Sequence, residues 1–594
     1  MKMKMKRKVR TIALALLCVM LVIVSACSGG NNEKEGSGNN GSTSQTNGSN
    51  GSDPSNQPEI TLTVFSTQAN YAGEQPGWYA KVLKDKFNIK LNIISTILAG
   101  GEQKIATQMA SGDLGDLIVG LGGRHYTDAI KSGLLLDWTK DGLVDKYGPH
   151  LKEYAGTALD ANKQQYGGGT SIYGVGNDIG SGDGPSEGEG MVYGPMMRWD
   201  LYQQAGSPTI DNLEDYLPVL KKMQELQPKS DSGKPTYGIS LWSEWDGNYV
   251  TLAKVIGQMH GYQEGDTFNN SDMILTKADE AKYQEMLDED GYYMKGLNFY
   301  YQANQMGLLD PDSLAQTFND VANKINDGQV FWSQFPWLSS SYNTAAHTSE
   351  GKGFQYVPFS EQKVRSYGFN PYGKERIWSI GAHTKHPERV MQFLDWLFSP
   401  EGIMETNVGP KGLIWDLDSN GKPTLTEFGY DAVKDSVNMP EEYGGGLYKD
   451  GKNQMGNSTI WLTMVNPENG EPYDYRVWTS YLNKDADPVT KSWREAMGAI
   501  SQKEYVVKHN LLAVDKPFFN GEAPIPKPAD LQQMHSQVGK VIKEYSWKMI
   551  YAKNDAEYNR LKDEMLVKAK GLGYDEIVKW EVEQYNKTVA TLFK

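Results

Sequence analysis

The stretch ITLTVFST (residues 60–67) is the first indication of the fold class, because it is a run rich in β-branched residues that is bounded by polar residues. It predicts a strand, and the pattern continues outward with a helix around 78–87, a strand at 89–96, a helix near 103–111 and a strand at 116–121. This order is typical of an open α/β sheet. Ligands of such sheets bind beyond the carboxyl ends of the strands, so we expect the loops 68–73 and 122–128 to face a cleft.

Three later segments predict further helices and strands. Asp211 is expected to cap a helix with Glu214 completing a capping box, and Pro218 inside that helix is expected to kink it. Residues 310–332 predict a helix ended by Gly328 and followed by a strand. Residues 377–402 predict a strand and then a helix with Pro387 in its first turn.

The N-terminal end has the layout of a secretory signal peptide. Six basic residues lie within positions 2–10, the uncharged segment 11–26 follows, and Cys27 comes directly after the small residues Ser25 and Ala26. The apolar core is shorter than the ~20 residues that span a bilayer. Residues 24–27, VSAC, resemble a bacterial lipobox, which implies cleavage after residue 26 and lipidation of Cys27. An ordinary signal peptide with an incidental cysteine is the alternative.

Residues 27–57 are rich in Gly, Asn and Ser, and after Cys27 they contain no large apolar residue. Such a segment cannot bury enough surface to offset the entropy of ordering, so we expect a flexible tether between the lipid anchor and the folded body.

Charge and composition narrow the function. Cleavage after residue 26 removes six of the 59 basic residues and none of the 74 acidic ones, which leaves a net charge of −21. So acidic a surface repels phosphate backbones, and nucleic acid is not an expected partner. The 15 Trp and 34 Tyr suit a site that grips flat, partly apolar ligands.

Five segments, in their order and separations, resemble family 1 of the extracellular solute-binding proteins, in its large lipoprotein branch. They are SGDLGDLIVG (111–120), GLLLDWT (133–139), RWDLYQQAGSPTIDNLEDYLPVLKKMQE (198–225), FNDVANKINDGQVFW (318–332) and KHPERVMQFLDWLFSPEG (385–402). The match runs patchily from about residue 60 to the C-terminal helices. Members of this family are the substrate-capturing subunits of sugar ABC importers.

The resemblance implies a periplasmic-binding-protein type II fold, with two α/β lobes, a hinge and an inter-lobe ligand cleft. Residues 58–180 with about 375–450 are expected to form lobe 1, and about 181–374 with 451–594 to form lobe 2. It also implies a protein that is not an enzyme and has no cofactor, and that acts as a monomer on the outer face of the bacterial cytoplasmic membrane. Its partners would be ABC transporter permease subunits and, given the length of the chain, an oligosaccharide.

A sugar site needs aromatic planes for the C–H faces of the rings and short polar side chains for the hydroxyls. Aromatic residues beside polar groups are therefore the candidates, with further residues from the two predicted cleft loops and near position 193. The expected ligand-binding residues are Gln68, Asn70, Tyr71, Arg124, His125, Tyr193, Trp242, Trp245, Asp246, Trp332, Trp337 and Trp378. Any one of the tryptophans is equally compatible with core packing.

One segment fits the spacing of a calcium loop. Asp416, Asp418, Asn420 and Glu427 stand at ligand positions with Gly421 at the turn. The competing interpretation, which we favour, is a hairpin turn on Asn420 and Gly421. A structural calcium ion is therefore only a weak expectation.

Two other functions remain open from the sequence alone. A binding protein for a peptide or another polar solute is compatible with the same fold, because fold does not determine ligand. A surface glycoside hydrolase would share the aromatic residues and add a pair of catalytic carboxylates. The abundance of aromatic residues favours a sugar-binding protein over both.

Overall fold

The structure is a computed structural model that describes residues 54–98, 101–188, 190–263, 272–435, 437–484, 486–519, 521, 525 and 527–593. Asp53–Lys594 forms one compact unit. The predicted signal peptide, Cys27 and the tether up to residue 53 lie outside the described residues. At the end of the predicted tether, Pro54–Asn56 forms a turn of 3₁₀ helix.

Sixteen strands and twenty-one α-helices are labelled here in chain order. The strands are β1 Ile60–Ser66, β2 Gly73–Glu74, β3 Ile89–Ser95, β4 Leu117–Leu121, β5 Val175–Asn177, β6 Met196–Arg198, β7 Tyr262–Gln263, β8 Ile274–Lys277, β9 Tyr283–Glu285, β10 Trp332–Ser333, β11 Phe354–Tyr356, β12 Val364–Ser366, β13 Lys374–Ile380, β14 Trp415–Leu417, β15 Pro423–Leu425 and β16 Leu512–Val514, counted over the described residues.

The helices, again within the described part of the chain, are α1 Gly77–Phe87, α2 Gly101–Ala110, α3 Gly123–Lys131, α4 Leu143–Tyr147, α5 Pro149–Gln165, α6 Trp199–Gln204, α7 Tyr216–Leu226, α8 Thr251–Val255, α9 Tyr292–Gln305, α10 Phe318–Asn326, α11 Pro336–Ser339, α12 Ala345–Ser349, α13 Pro387–Leu397, α14 Pro400–Asn407, α15 Glu427–Asp435, α16 Thr479–Leu482, α17 Pro488–Met497, α18 Gln502–Lys508, α19 Ala529–Ile550, α20 Asp555–Gly571 and α21 Tyr574–Leu592. No helix among these residues is long and apolar enough to span a bilayer.

The first core is built on a six-stranded sheet in the order β2-β3-β1-β4-β13-β5. Strands β3, β1 and β4 are parallel, whereas β13 runs antiparallel to both β4 and β5. Successive side chains of a strand point to opposite faces, so Leu62 and Val64 enter one apolar cluster while Phe65 enters another on the far side. The predicted open α/β sheet is confirmed.

The second core surrounds the antiparallel sheet β10-β6-β11 and includes the C-terminal helices α19 to α21. Among the described residues the chain passes between the cores three times, between Ile179 and Met191, between Val364 and Ile377, and between Trp478 and Val489. We call these three stretches the crossing segments.

The lobe boundaries stay a prediction. Met455, Ile460, Tyr473 and Trp478 pack in the first core, although residues 451–594 were expected in lobe 2. A boundary near residue 480 would accommodate this packing.

The helix predicted at Asp211 begins later. The Asp215 carboxylate accepts the backbone N–H groups of Asp211 and Asn212, which makes a turn there, and α7 begins at Tyr216. Pro218 therefore lies in the first turn of α7, where a missing N–H is tolerated, and the predicted kink has no cause.

The two other predicted units are closer to the structure. Thr317 and Asp320 form a capping box for α10, which ends before Gly328 and is followed by β10. Strand β13 leads to α13, which has Pro387 in its first turn, as predicted.

Candidate functional site

One edge of the six-stranded sheet gathers polar loops. Strands β1 and β4 end there, and the antiparallel β13 begins there, so Gln68 lies near the residues that follow β4. Two glycines allow this close approach. A Cβ on Gly120 (φ +82°) would lie 2.5 Å from Gln68 Cγ, and a Cβ on Gly456 (φ +81°) would lie 2.5 Å from the Gln68 carbonyl oxygen.

The three residues predicted from the loop after β1 differ in exposure. Gln68 is half-buried and donates from Nε2 to Thr67 Oγ1 at 3.2 Å, whereas Asn70 is exposed. Tyr71 is half-buried, and its hydroxyl donates to the Glu74 carbonyl at 2.7 Å. Of the three, Asn70 has the most accessible side chain.

The two residues predicted from the loop after β4 lie in the first turn of α3. Arg124 is 89% exposed, and its Nε lies 3.3 Å from Asp128 Oδ2 one turn along. His125 Nε2 lies 2.7 Å from Glu102 Oε2 of α2. Both side chains are therefore engaged by carboxylates of their own surroundings.

Five aromatic residues of the second core form what we call the aromatic platform: Trp242, Trp245, Phe318, Phe335 and Trp337. Trp245 stacks on Phe318 with ring centroids 5.1 Å apart, and on Trp337 at 6.2 Å with 25° between the planes. Trp242 lies beneath, edge-on to Trp245 at 4.9 Å. The platform joins three segments that are far apart in the sequence.

The outer rings of the platform face solvent. Trp245 is 41% exposed and Trp337 is 46% exposed, whereas Trp242 is buried. Two large neighbouring rings left in water cost hydrophobic free energy, and such patches typically mark binding surfaces. Their planes can stack on the apolar face of a flat ligand.

Asp246 fixes the loop that carries Trp245. Its Oδ1 accepts the Thr251 backbone N–H at 2.9 Å, and its Oδ2 accepts the indole N–H of Trp547 in α19 at 2.7 Å. Burial raises the pKa of Asp246 to about 6. Both oxygens are thus used to position the platform against the C-terminal helices.

A series of contacts leads from the platform to the crossing segments. Tyr193 lies 6.1 Å from Phe335 between ring centroids, and its hydroxyl is 3.1 Å from that of Tyr367. Lys374 Nζ lies 5.4 Å from the Tyr367 ring and 3.9 Å from the Trp461 ring. The series of ring contacts therefore continues, through the buried Phe335 and Tyr193, from the second core to the first.

Lys374 is the charged centre of this series. Its ammonium pairs with Asp178 at 3.4 Å, and burial lowers its pKa. Sequence reasoning missed Tyr367, Lys374 and Trp461. The segment KERIWSI (374–380) could have indicated Lys374, because three charged residues open a strand whose remaining residues are buried.

Comparison with known proteins gives the family. The family model of the bacterial extracellular solute-binding proteins matches residues 69–404. The chain belongs to this family. Comparison with well-characterised protein sequences gave no match.

Solved structures share the fold of this solute-binding protein. It is similar to the ABC-transporter substrate-binding protein FusA of Streptococcus pneumoniae in complex with kestose, at 15% identity and a TM-score of 0.58, over 89% of this chain and 100% of that one. It is also similar to the solute-binding protein of a human-milk-oligosaccharide ABC transporter from Bifidobacterium longum infantis, at 16% identity and a TM-score of 0.53, over 89% of this chain and 99% of that one. A third similar structure is the N-glycan transport solute-binding protein NgtS of Streptococcus pneumoniae, at 15% identity and a TM-score of 0.52, over 90% of this chain and 100% of that one. These likenesses establish the fold.

Two tryptophans predicted to bind ligand are core residues of this solute-binding protein. Trp332 is 1% exposed and packs between Phe299 and Tyr216. Trp378 is also 1% exposed, and its indole N–H donates to the Ser458 carbonyl at 2.7 Å. Neither presents a ring face to a ligand, so we leave both out of the proposed site.

The calcium-like segment of this solute-binding protein forms the competing hairpin. Strands β14 and β15 pair, Gly421 has a φ of +73°, and Asp418 Oδ1 accepts the backbone N–H groups of Asn420 and Lys422. Glu427 begins α15 instead of closing a loop. The carboxylates of Asp416, Asp418 and Glu427 do not converge within 4.8 Å of one another.

One carboxylate and imidazole cluster does converge within the described residues, at Asp272, His535 and Glu581. Lys527 already supplies a cation there, because its Nζ lies 2.8 Å from Glu581 Oε1 and 3.8 Å from Asp272 Oδ1. An internal ammonium therefore fulfils the role that a metal ion would have, and the cluster fastens α19 and α21 to the segment before β8.

Proposed function

We propose that this protein is the lipid-anchored substrate-binding subunit of an ABC importer, and that it captures an oligosaccharide between two lobes and delivers it to the permease subunits. The observation that carries the proposal is the exposed pair Trp245 and Trp337, which continues through ring contacts toward the crossing segments. Relatives of the same fold are named for binding kestose, human milk oligosaccharides and N-glycans, which supports a glycan ligand.

The chemistry of the site suits a chain of neutral sugar rings. The planes of Trp245 and Trp337 would stack on the C–H faces of successive rings, while hydroxyl groups would exchange hydrogen bonds with polar side chains. Asn70 and Gln68 at the sheet edge provide amides, which both donate and accept. The lysine of the series is paired with Asp178, so the site adds little net charge for an ionic ligand.

Capture would proceed by hinge closure. Each of the two cores is a closely packed body, and three crossing segments join them. The crossing segments would absorb the backbone change, and a ligand that contacts both bodies would favour the closed form. The permease would then recognise the closed form, and the protein itself would catalyse no reaction.

The proposed location follows from the N-terminal residues. Cleavage after residue 26 and lipidation of Cys27 would hold the protein at the outer face of the bacterial cytoplasmic membrane, with the segment after Cys27 as a tether. The body would act as a monomer and, with its net negative charge, would avoid nucleic acid.

A binding screen with chemical analysis tests this function. The purified protein is titrated calorimetrically with fructo-, milk- and N-glycan-derived oligosaccharides, and each sugar is analysed by chromatography afterwards. We expect at least one oligosaccharide to bind and to be recovered intact. Shortened sugars would instead indicate a glycoside hydrolase, and a response only to peptides or other polar solutes would move the ligand class away from glycans.

A further inference from the structure

An open cavity of about 470 Å³ lies at the surface of the first core, away from the aromatic platform. One wall is a turn of α5 that includes Tyr154 and Gly156, and the other walls come from residues 179–181, Pro371 and the segment 460–473. This volume lies in the range of small-molecule sites, which is about 300 to 1,000 Å³. The second core contributes none of its lining residues.

The segment 460–464 separates this cavity from the platform series. Ile460 and Met464 line the cavity, whereas the Trp461 ring lies under Lys374 and its indole N–H donates to the Ser186 carbonyl. Trp461 begins a turn in which the Met464 backbone N–H donates to the Trp461 carbonyl at 2.9 Å, so Ile460 and Met464 line the cavity while Trp461 does not. The cavity and the proposed cleft are therefore different sites on two sides of one segment.

The lining combines apolar surface with a polar group that lacks a partner. Tyr473 is 3% exposed, and among the described residues its hydroxyl has no hydrogen-bond partner. The hydroxyl oxygen is not sealed from solvent, and because Tyr473 lines the cavity, this oxygen is available to a ligand there. Tyr154 adds a second ring, and Ile179, Ile460 and Met464 add an aliphatic surface.

We propose that this cavity is a second ligand site, which takes a single uncharged polyhydroxyl ring of hexose size. The Tyr154 ring would contact the C–H face of the sugar ring, and the Tyr473 hydroxyl would bond one of its hydroxyl groups. Lys152 and Glu153 on α5 give the lining one charge of each sign, which suits a neutral ligand. A free monosaccharide and the terminal unit of an oligosaccharide share this chemistry.

Occupancy of this site is coupled to the crossing segments. Ile179 forms parallel bridges with both Asn370 and Ile460, so the cavity lies where two crossing segments meet the first core. A ligand there would shift the open and closed populations if its contacts differ between them, and this consequence rests on the proposed function.

The test measures hexose binding separately from the cleft. A Cβ on Gly156 meets no atom within 4 Å, so Gly156→Trp can fill the cavity, and Gly156→Ala is its matched control. Saturation-transfer NMR with methyl α-glucoside, methyl α-galactoside and methyl α-mannoside at millimolar concentration is run on the wild type and on these variants. Tyr473→Phe removes only the hydroxyl, and Trp337→Ala alters only the platform.

We expect at least one glycoside to bind the wild type, Gly156→Ala and Trp337→Ala. Gly156→Trp is expected to abolish the signal, and Tyr473→Phe to weaken binding about tenfold, as for one lost hydrogen bond. Absence of any signal in the wild type, binding that survives Gly156→Trp, or loss in Trp337→Ala would overturn the proposal. If Gly156→Trp fails to fold, an unchanged affinity of Tyr473→Phe for the glycoside would likewise overturn the proposal.

Competition distinguishes the two sources of the ring. In the Trp245→Ala/Trp337→Ala double variant, an oligosaccharide that still displaces the bound glycoside places its terminal unit in the cavity. If it does not displace the glycoside, the natural occupant is a free monosaccharide.

Discussion

The five tryptophans predicted to bind ligand differ more in their surroundings in the fold than in their sequence context. Trp245 and Trp337 are held by neighbouring rings yet keep 41% and 46% of their surface in water. Trp332 and Trp378 are enclosed by their cores, and Trp242 supports the platform from below. Binding energy is therefore expected to concentrate on the two exposed rings.

Replacing either exposed ring tests this expectation. Trp245→Ala or Trp337→Ala should weaken oligosaccharide binding about tenfold, because each removes a stacked ring worth about 1.4 kcal/mol. Calorimetric titration gives the dissociation constant. Trp332→Phe is the control and should lower the melting temperature while leaving affinity unchanged. Unchanged affinity in both alanine variants would exclude the platform as the sugar site.

The sequence predicted which loops carry aromatic residues, but it could not predict which rings would stay exposed. LWSEWDGN (241–248) supplies one buried and one exposed tryptophan three positions apart. Both rings pack against Phe318 and Phe335, which are distant in sequence, so their exposure depends on tertiary packing that the local sequence does not show. Tyr367, Lys374 and Trp461 were missed for the same reason, since only the crossing geometry joins them.

A buried arginine fastens the start of the folded body to two elements of the first core. Arg389 of α13 donates from Nη1 to Gln57 Oε1 at 3.1 Å and to the Pro58 carbonyl at 3.3 Å, and from Nη2 to the Phe87 carbonyl at the end of α1. It is 7% exposed. The beginning of β1 is thus held against α1 and α13.

Arg389→Met should lower the free energy of unfolding by about 2 kcal/mol, because buried carbonyl groups lose their donors. Urea denaturation gives this value. Arg124→Met, at an 89% exposed position, serves as control and should change stability by less than about 0.5 kcal/mol. Equal effects of the two substitutions would contradict the assigned role of Arg389.

Two glutamates one turn apart on α14 have opposite responses to pH. Burial raises the pKa of Glu405 to about 7 from an ordinary value of 4.5, although Lys86 lies 3.7 Å away. The more exposed Glu401 bonds Lys86 at 2.7 Å, and its pKa is lowered from 4.5: burial opposes this shift, and the hydrogen bonds from Lys86 and Trp396 outweigh it. Helix α14 therefore presents one carboxyl that favours the neutral form and one that favours the charged form.

The sign of the pH effect follows from proton uptake. The folded protein binds the Glu405 proton more tightly than the unfolded chain, so this contribution to stability is present below about pH 4.5 and is lost as pH rises through about 7. Its size is at most about 3 kcal/mol. Glu405→Gln should remove this dependence, so that its stability relative to the wild type increases from about pH 5 to about pH 8 in urea denaturation.

Glu401→Gln is the matched control, since it lies on the same helix beside the same lysine. Its carboxylate stabilises the fold above its ordinary pKa, so the substitution should destabilise the protein at neutral pH and have less effect in acid. If Glu405→Gln behaves like Glu401→Gln, the neutral form of Glu405 has been assigned wrongly.

Elements with strong local signals were predictable. The order from β1 to β4 and the helix opened by Pro387 follow from periodicity and from turn chemistry. The start of α7 was not, because Asp215 accepts the Asp211 backbone N–H that Glu214 was expected to accept, and Asn212 Oδ1 accepts the Asp215 backbone N–H. Where two acidic residues compete to cap one turn, the tertiary packing of Tyr216 decides the first helical residue.

For the whole molecule, the sequence predicted the fold class and the family through ordered motifs, whereas the division into bodies depends on long-range packing. Residues 455–478 pack with the first core, although no pattern in the preceding segment indicates to which core they belong. Three crossing segments between two cores are what hinge closure requires. We expect an oligosaccharide to draw these two bodies together.

Small-angle X-ray scattering of the purified protein, with and without the oligosaccharide found by titration, measures this change in compactness directly. We predict that the radius of gyration decreases on binding, that the wild-type change is absent in the Trp245→Ala/Trp337→Ala double variant, and that the sugar is recovered intact. A saturating oligosaccharide that leaves the radius of gyration unchanged, or that is recovered in pieces, would contradict the account.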